Sequence, residues 1–223
     1  MQPEDNLIIS GDGSHTLRSE IFNVTYHSTH GAVTESTIIF IQAGLEYFAG
    51  TNPEGTIRIF EMGFGTGLNA LLTAEWALKH QKKINYTAIE AYPLTPDITG
   101  RLNYGNLENG SLLFSHLHAC PWGDKYAISP YFDLLKIEGK FEDHQTDRRF
   151  DVIYYDAFGP GAQPHLWEVP ILRKAYERTA SGGVLTSFCV QGAFRRNLKE
   201  VGYEVEKLPG PPGKREITRA IRL

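Results

Sequence analysis

Three glycines at alternate positions follow a short apolar run and lead into a helical pattern. The apolar run ends at Phe60, the glycines are Gly63, Gly65 and Gly67, and the pattern LNALLTAEWALKH follows directly. A strand, a glycine turn and a helix in this order place backbone N–H groups at the carboxyl edge of a parallel sheet, where open α/β folds bind nucleotides. Glycine is needed there because a side chain would hold the ligand away from the backbone, and because positive φ values favour it.

An acidic residue precedes this loop. Glu61 lies two residues before the first glycine. A carboxylate beside the ligand suits a cofactor that carries an amino-acid ammonium group, whereas it repels a pyrophosphate. The pattern E-x-G-x-G-x-G therefore favours S-adenosylmethionine (SAM) over NAD.

Two further acids end predicted strands. INYTAIE is predicted to be a buried strand that ends at Glu90, which is placed to accept hydrogen bonds from ribose hydroxyls in either a NAD or a SAM fold. Asp156 follows the apolar strand 152–155, which we expect beside the first strand, so its carboxylate faces the reactive end of the cofactor. In DAFGP, Phe158 and Pro160 follow this acid in an order related to the loops with which amino-group methyltransferases hold the acceptor nitrogen.

A polar and aromatic segment precedes the first long helical pattern. It contains Tyr26, His27, His30 and Glu35. Two histidines three residues apart raise the possibility of a metal site, but no further ligand cluster accompanies them, and we expect no metal. A segment that lines a ligand pocket, with Tyr26 and Glu35 among the cofactor contacts, is the favoured interpretation, and a simple loop that caps a helix is the alternative.

Strands and helices alternate along most of the chain. This predicts an α/β fold with a doubly wound, mostly parallel sheet. Together with the pattern E-x-G-x-G-x-G and the absence of a helix between the last two strands, it favours the seven-stranded, Rossmann-like sheet that is typical of class I SAM-dependent methyltransferases. LIIS and HTLRSE, on either side of Gly11-Asp12-Gly13-Ser14, predict a β-hairpin. PWGDKYAISPYF is read as a loop with at most a short strand, and two final strands joined only by a loop predict an antiparallel strand at the edge of the sheet. Residues 1–223 are expected to be one domain, with 1–30 as an extension.

Composition is that of an ordinary globular protein. The chain has 223 residues, 41% of them hydrophobic, and a net charge of −4. It contains no run long enough to span a membrane and no signal peptide, so a cytoplasmic protein is expected. Cys120 and Cys189 are expected to be reduced and structural. From Gly192 onward the chain carries a charge of +4, which fits either a phosphate-binding face or a solvated surface.

Five motifs in order resemble one family. EMGFGTGLN, IEAYPL, YYDAFGPGAQPHLW, GAFRRNLKEVGYEV and GPPGKRE together resemble the methyltransferase domain of the tRNA-modifying MnmC proteins, and most of all its stand-alone MnmD-like form. The similarity runs from about Tyr26 to the end. It implies methyl transfer from SAM to the 5-aminomethyl group of wobble 2-thiouridine in tRNA, which gives 5-methylaminomethyl-2-thiouridine. Two-domain relatives add an FAD-dependent oxidase; this sequence lacks it, so the precursor is expected from a separate oxidase.

The resemblance also implies roles for individual residues. Asp156 matches the catalytic aspartate, and Phe158 and Pro160 lie on the acceptor side. The RR and KRE signatures match Arg195, Arg196, Lys214, Arg215 and Glu216, read as tRNA-facing or loop-bracing, with the four basic residues assigned to the substrate. The expected cofactor contacts are Tyr26, Glu35, Glu61, Gly63, Phe64, Gly65, Thr66, Gly67, Asn69, Glu90 and Asp156.

One position departs from the family pattern. Relatives usually carry an acid after the glycine that ends the third strand, where adenine binds, but here Lys140 follows Gly139. Either the backbone contacts adenine, or the acid is supplied by Glu142 or Asp143.

Three functional hypotheses follow. The first is the tRNA wobble-uridine methyltransferase. The second is a SAM-dependent N-methyltransferase that acts on a small amine. The basic tail is the feature that favours the first hypothesis over the second. The third is a NAD- or nucleotide-binding module without methyl transfer, against which Glu61 and DAFGP argue.

Overall fold

A computed structural model describes residues 6–106 and 110–223 of the chain. Its main element is an eight-stranded mixed sheet with the strand order β5-β6-β4-β3-β7-β8-β10-β9. Six strands point the same way, and β5 and β10 run antiparallel to their neighbours. The strands are β3 (Ile57–Met62), β4 (Ile84–Glu90), β5 (Lys125–Ser129), β6 (Phe132–Glu138), β7 (Phe150–Tyr155), β8 (Thr179–Ser187), β9 (Glu204–Pro209) and β10 (Glu216–Ile221).

The central strands are apolar because both faces of the sheet are covered. Every residue of β7 is buried, and β3 exposes only Arg58. β3 and β7 pair in parallel with Glu61 opposite Tyr154. Since the carboxyl ends of parallel neighbours meet at one edge, this register brings the glycine loop after β3 next to Asp156 after β7.

Helices cover the sheet on two sides. One core cluster joins the sheet to the helical segments near the N-terminal half, and a second joins it to α6 and α7. The helical elements are α1 (Ala32–Ser36), a π-helical stretch (Thr37–Glu46), α2 (Tyr47–Thr51), α3 (Leu68–His80), α4 (Pro96–Thr99), a 3-10 turn (Asn103–Asn106), α5 (Gly110–Ala119), a second 3-10 turn (Pro164–Trp167), α6 (Val169–Arg178) and α7 (Gly192–Val201).

The predicted fold class is confirmed, but two details of the sheet differ. The sheet has eight strands because KYAIS forms β5. β5 is an edge strand with Ile128 as its one buried residue, so it lacks the alternating pattern that identifies strands. The antiparallel strand near the C-terminus, β10, lies between β8 and β9, so β9 and not β10 forms the edge.

The predicted N-terminal hairpin is confirmed as β1 (Leu7–Ile9) and β2 (His15–Leu17). Its turn also caps the following helix. The backbone N–H groups of Ala32, Val33 and Thr34 donate to the side chains of Ser10, Ser14 and Asp12, respectively. The first N–H groups of a helix have no partners within the helix, so the hairpin turn determines where α1 begins.

The hydropathy of the helices bears on whether any of them could span a membrane. Within the described residues, no helix combines the length and apolar character needed to cross a bilayer.

Gly44 allows the π-helical stretch to approach the sheet. A Cβ atom there would lie 3.1 Å from Thr186 Oγ1 and 3.3 Å from the Tyr154 ring. We expect Gly44→Leu to lower the free energy of unfolding by about 1–3 kcal/mol because it overpacks this contact. The measurement is urea denaturation followed by circular dichroism.

Gly50 provides a matched control. A Cβ at Gly50 in α2 meets nothing within 4 Å, so Gly50→Leu should leave stability unchanged or raise it slightly through helix propensity. Equal destabilisation by both substitutions would contradict the proposed contact.

Candidate active site

A cavity of about 770 Å³ opens at the carboxyl edge of the sheet. Its floor is formed by the ends of β3, β4, β6 and β7, and segments from both ends of the chain cover it: residues 22–30 and the loop 213–214 before β10. This volume accommodates a ligand of nucleoside size with space for a second group.

The glycine loop requires glycine at all three positions. Gly63, Gly65 and Gly67 have φ values of +94°, +50° and +77°. A Cβ atom would lie 2.9 Å from the Asp156 carbonyl oxygen at Gly63, 3.0 Å from the Tyr26 ring at Gly65 and 2.9 Å from His118 Nε2 at Gly67. The expected positive φ is present, but the space beside each glycine is occupied by the protein, so close packing against the chain adds to the reason for glycine.

Side chains from three segments hold this loop in place. Glu90 accepts the Gly65 N–H through Oε2 at 2.9 Å and the Tyr92 N–H through Oε1 at 2.9 Å. The Thr66 hydroxyl hydrogen-bonds His27 Nε2 at 2.7 Å, and the Thr66 carbonyl accepts from His118 Nε2 at 3.1 Å. Each Glu90 oxygen retains a free lone pair at the cavity wall, so bracing the loop leaves capacity for hydroxyl groups.

Two carboxylates meet at one amide where β3 and β7 end. The Asn69 Nδ2 group donates to Glu61 Oε1 at 2.9 Å and to Asp156 Oδ2 at 2.8 Å. Burial raises the pKa of the Glu61 carboxyl well above its usual range, and the nearby Asp156 raises it further. Burial and Glu35 also raise the pKa of Asp156, while Asn69 and Lys214 lower it. The pair thus resists carrying two negative charges.

Two predicted cofactor contacts, Glu61 and Gly67, do not line the cavity, whereas Phe64 and Thr66 do. Glu61 is fully buried and does not line the cavity; Asn69 and Asp156 lie between it and the space. The Phe64 ring packs against His118 and Trp122, and the Thr66 side chain is engaged by His27. The expectation that Glu61 lies directly beside a ligand is therefore corrected, because β3 directs this side chain beneath the cavity floor.

An aromatic group lines the opposite part of the cavity. Phe158 lies 4.9 Å from Phe22 and 5.0 Å from Tyr26 between ring centroids, and Phe22 contacts Tyr92 at 5.7 Å. The backbone of this loop is held by Phe158 N–H, which donates to Gln163, and by the Trp167 indole, which donates to the Phe158 carbonyl. Pro160 lies on the cavity wall.

Lys214 is part of the cavity wall. Its ammonium group forms an ion pair with Glu35 and lies 4.5 Å from the centre of the Phe188 ring. The other Glu35 oxygen accepts the Ser28 N–H at 2.7 Å. Glu35 and Lys214 thus join the N-terminal segment to the C-terminal loop across the site, and Lys214 does not project outward as a tRNA-facing residue would.

The two signatures at the basic end brace each other. Arg195 is 8% exposed and donates to Glu216 Oε2 at 2.8 Å, Thr218 Oγ1 at 2.9 Å and the Ile217 carbonyl at 3.1 Å. Three of the five N–H donors of Arg195 are used within the fold, which fits the loop-bracing interpretation of this signature better than substrate binding. Arg196 and Arg215 are exposed and remain available to a partner.

The end of the third parallel strand also reaches the cavity. Gly139, Lys140, Phe141 and Glu142 all line it, whereas Asp143 does not. Of the two acids considered for this position, only Glu142 is therefore placed at the cavity wall.

The two histidines of the N-terminal segment have separate structural roles. His27 holds Thr66, and the His30 ring occupies the space beside Gly213. Within residues 6–106 and 110–223, no group of three or more His, Cys, Asp and Glu side chains is arranged as a metal site. Cys120 and Cys189 are both free thiols.

Several residues at the site were absent from the sequence-based prediction. His118 comes from a segment with no interpretable pattern, and nothing local identifies it. Phe22, Tyr92 and Phe188 carried a weak signal, since Tyr92 and Phe188 each follow shortly after the end of a parallel strand.

Comparison with known proteins confirms the resemblance found in the sequence. Residues 135–222 match the model of a family of S-adenosyl-L-methionine-dependent methyltransferases. The tRNA 5-methylaminomethyl-2-thiouridine biosynthesis bifunctional protein MnmC of Paracidovorax citrulli is 31% identical over 217 residues, which is 89% of this chain and 33% of that protein. MnmC of Chromobacterium violaceum is 28% identical over 219 residues, which is 90% of this chain and 32% of that protein. The chain thus spans about a third of the length of these relatives.

A solved structure shows the same architecture. MnmC2 from Aquifex aeolicus superposes with a TM-score of 0.77 at 22% identity, over 97% of this chain and 70% of that one. The fold is the Rossmann-like fold of class I SAM-dependent methyltransferases, as predicted. The family model that matches residues 135–222 is one of SAM-dependent methyltransferases and not of NAD-binding proteins.

The histidines that hold the glycine loop make stability depend on pH. Burial lowers the pKa of His27 and of His118 to about 4 in each case. The unfolded chain, with ordinary histidine pKa values near 6.5, binds more protons between about pH 4 and 6.5, so the free energy of unfolding should fall as the pH falls through this window. The expected loss is roughly 2–3 kcal/mol for His27, and less for the more exposed His118. Urea denaturation at pH 7 and pH 4.5 measures it.

The control substitution lies on the same helix as His118. His116 is exposed, so His116→Gln should leave the pH dependence unchanged. His27→Gln combined with His118→Gln should flatten it. An unaltered slope in the double variant would contradict this role for the two histidines.

Proposed function

We propose that this chain, which resembles the methyltransferase part of MnmC, transfers a methyl group from SAM to the 5-aminomethyl group of wobble 2-thiouridine in tRNA. The observation that carries the proposal is the position of Asp156, which lies where the glycine-loop half of the cavity meets its aromatic half. In this position, one carboxylate can serve a cofactor on one side and an acceptor amine on the other. Residues 1–223 would act as one domain, with 1–30 as its extension.

The residues around the glycine loop fit SAM. The N–H groups of Gly63, Gly65 and Gly67 donate within the fold and fix the shape of the loop, while Glu90 has lone pairs for ribose hydroxyls. Tyr26 covers the loop at Gly65. The Oδ1 atom of Asn69, a residue of the cavity wall, is buried without a hydrogen-bond partner. A free acceptor at this wall suits a ligand with a cationic amino-acid end. When bound, SAM supplies an electrophilic methyl group on a sulfonium.

Asp156 would position the acceptor nitrogen. A free alkylammonium keeps its proton at neutral pH, as the lysine pKa of about 10.4 illustrates, and it then has no lone pair with which to attack. Asp156 can accept an N–H bond from the neutral amine and hold its lone pair in line with the methyl group, and such positioning contributes much of the catalysis available here. The positive sulfonium of bound SAM would disfavour a second cation beside it and so favour the neutral amine.

The acceptor half of the cavity suits a nucleobase. Phe158, Phe22 and Tyr92 form a continuous aromatic surface from the strand end to the cavity mouth, and Tyr92 is 43% exposed. Proteins hold unpaired bases by stacking on such rings. Pro160 would bound the same space.

The surroundings of the cavity also fit an RNA partner. Lys140 at the cavity wall and Arg196 and Arg215 near the C-terminus are exposed, which places positive charge on a chain whose net charge is −4. A small-amine methyltransferase would not need these charges. In the tRNA pathway an FAD-dependent oxidase activity would supply the amine, and the cytoplasm is the expected location.

Mass analysis of wobble nucleosides tests the function. Purified protein, SAM and tRNA that carries the 5-aminomethyl precursor should yield 5-methylaminomethyl-2-thiouridine, and Asp156→Ala should reduce single-turnover rates about 10²-fold or more, with the fold intact. Asp156→Asn should keep part of the activity if Asp156 orients the amine, and little if it removes a proton.

The control is Asp147→Ala, an exposed aspartate outside the cavity, which should remain fully active. Near-normal turnover by Asp156→Ala would disprove the assigned role. Methylation of small amines, with tRNA inert, would support the alternative function.

Removing the exposed basic residues should weaken tRNA binding. We expect Arg196→Gln with Arg215→Gln to lower tRNA affinity and to reduce the slope of log K against log[salt] by about 0.9 for each phosphate that is no longer neutralised. SAM affinity, measured by calorimetry, should not change because neither residue lines the cavity.

The matched control is the double variant Lys79→Gln with Arg148→Gln. Both residues lie at the opposite edge of the sheet, where the parallel strands begin. These changes should leave tRNA binding unaltered. Identical salt slopes for wild type and both double variants would mean that Arg196 and Arg215 lie on a merely solvated surface.

A further inference from the structure

We infer that Glu61, Asn69 and Asp156 act as one unit. The two acids together keep one proton until a cationic ligand enters the cavity, and Asn69 is the residue that positions them. The inference deepens the proposed function and rests on it. It concerns how a buried acid that never reaches the cavity affects the carboxylate that does.

Among the residues that the structure describes, Asn69 is the one whose side chain hydrogen-bonds to both acids. One amide nitrogen has two hydrogens, and here it directs one to each carboxylate, at 2.9 and 2.8 Å. Asn69 and Asp156 line the cavity, whereas Glu61 lies behind them and is 0% exposed. The Asn69 oxygen has no hydrogen-bond partner, and the Tyr86 hydroxyl beside Glu61 lowers the pKa of that acid without supplying a charge. A change of charge at Asp156 therefore changes the pKa of Glu61, because the same Asn69 amide donates to both carboxyl groups.

The surroundings leave this pair without a counter-charge. Among the described residues, neither Glu61 nor Asp156 takes part in a salt bridge, and the nearby Lys214 is already paired with Glu35. Burial raises the pKa of the two neighbouring tyrosines, which stay neutral. The titratable groups that face the pair are Tyr86 and Glu90 from β4, Tyr154 from β7, Glu35 from α1 and Lys214 from the loop before β10.

Two carboxylates in such a place cannot both ionise without a large cost, so one of the two keeps its proton. Burial is the strongest influence on each group and raises both pKa values, in agreement with the geometry. A cation in the cavity beside Asp156 lowers the pKa of the remaining carboxyl group, because it stabilises the second negative charge. The proton then leaves a carboxyl oxygen for the solvent buffer, and no covalent bond between heavy atoms changes.

The consequence for the reaction is an order of events. Asp156 becomes a full carboxylate, and so a good acceptor for an amine N–H, only after the cationic cofactor is in place. Asn69 sets this coupling because it fixes the distance between the two acids. An amine that reached the free protein first would meet a carboxyl group that is partly protonated.

Calorimetry of SAM binding in two buffers with different ionisation enthalpies counts the protons released. Between pH 6 and 8 we expect release to approach one proton for each SAM bound, with SAM affinity rising by up to about tenfold per pH unit. S-adenosylhomocysteine, which lacks the sulfonium charge, should release fewer protons.

Two variants identify the source of the proton. Glu61→Gln should abolish most of the release and flatten the pH dependence of SAM affinity. Asn69→Leu should move the midpoint of that pH dependence upward, because the amide no longer stabilises either charge; a purely structural role would lower stability and leave the midpoint in place. Asn197→Leu, on α7 away from the cavity, is the matched control.

The outcomes separate the inference from the proposed function. SAM binding without proton release, or with release unchanged in Glu61→Gln, would overturn the inference and leave the methyltransferase proposal standing. A failure of the wild-type protein to bind SAM would overturn both.

Discussion

The amide of Asn69 and the two carboxylates that it joins are the interaction on which the site depends. They meet because β3 and β7 are parallel neighbours whose carboxyl ends lie at the same edge. A stable fold would ordinarily avoid two buried acids without a cation. Here the sheet places Asp156 at the cavity wall and Glu61 behind it, where a positively charged ligand can supply the missing charge.

Around this centre, the cavity is closed by parts of the chain that are far apart in sequence. The N-terminal segment contributes Tyr26 over the glycine loop and Phe22 at the mouth, and the loop before β10 contributes Lys214. The Glu35–Lys214 ion pair joins residues 179 positions apart. The hairpin turn that caps α1 fixes the start of this arrangement, since it determines where the helix that carries Glu35 begins.

Positive charge near the C-terminus serves three different purposes. Arg195 ties α7 to β10, Lys214 neutralises a buried acid, and Arg196 and Arg215 face the solvent. Charge count alone treats these residues as one patch. Burial separates them, because an arginine that is 8% exposed and held by Glu216, Ile217 and Thr218 is less accessible to a phosphate than an exposed one.

The sequence by itself determined the strand–glycine–helix passage, the acids Glu90 and Asp156 at strand ends, and the fold class, because these follow from local periodicity and from backbone conformations that only glycine adopts readily. The tertiary structure alone decided that Glu61 lies behind the cavity wall, that Arg195 is internal and that KYAIS forms an eighth strand. The physical reason is that burial and partner choice depend on segments that meet only when the chain is folded, and a residue's type does not specify which distant group will lie beside it.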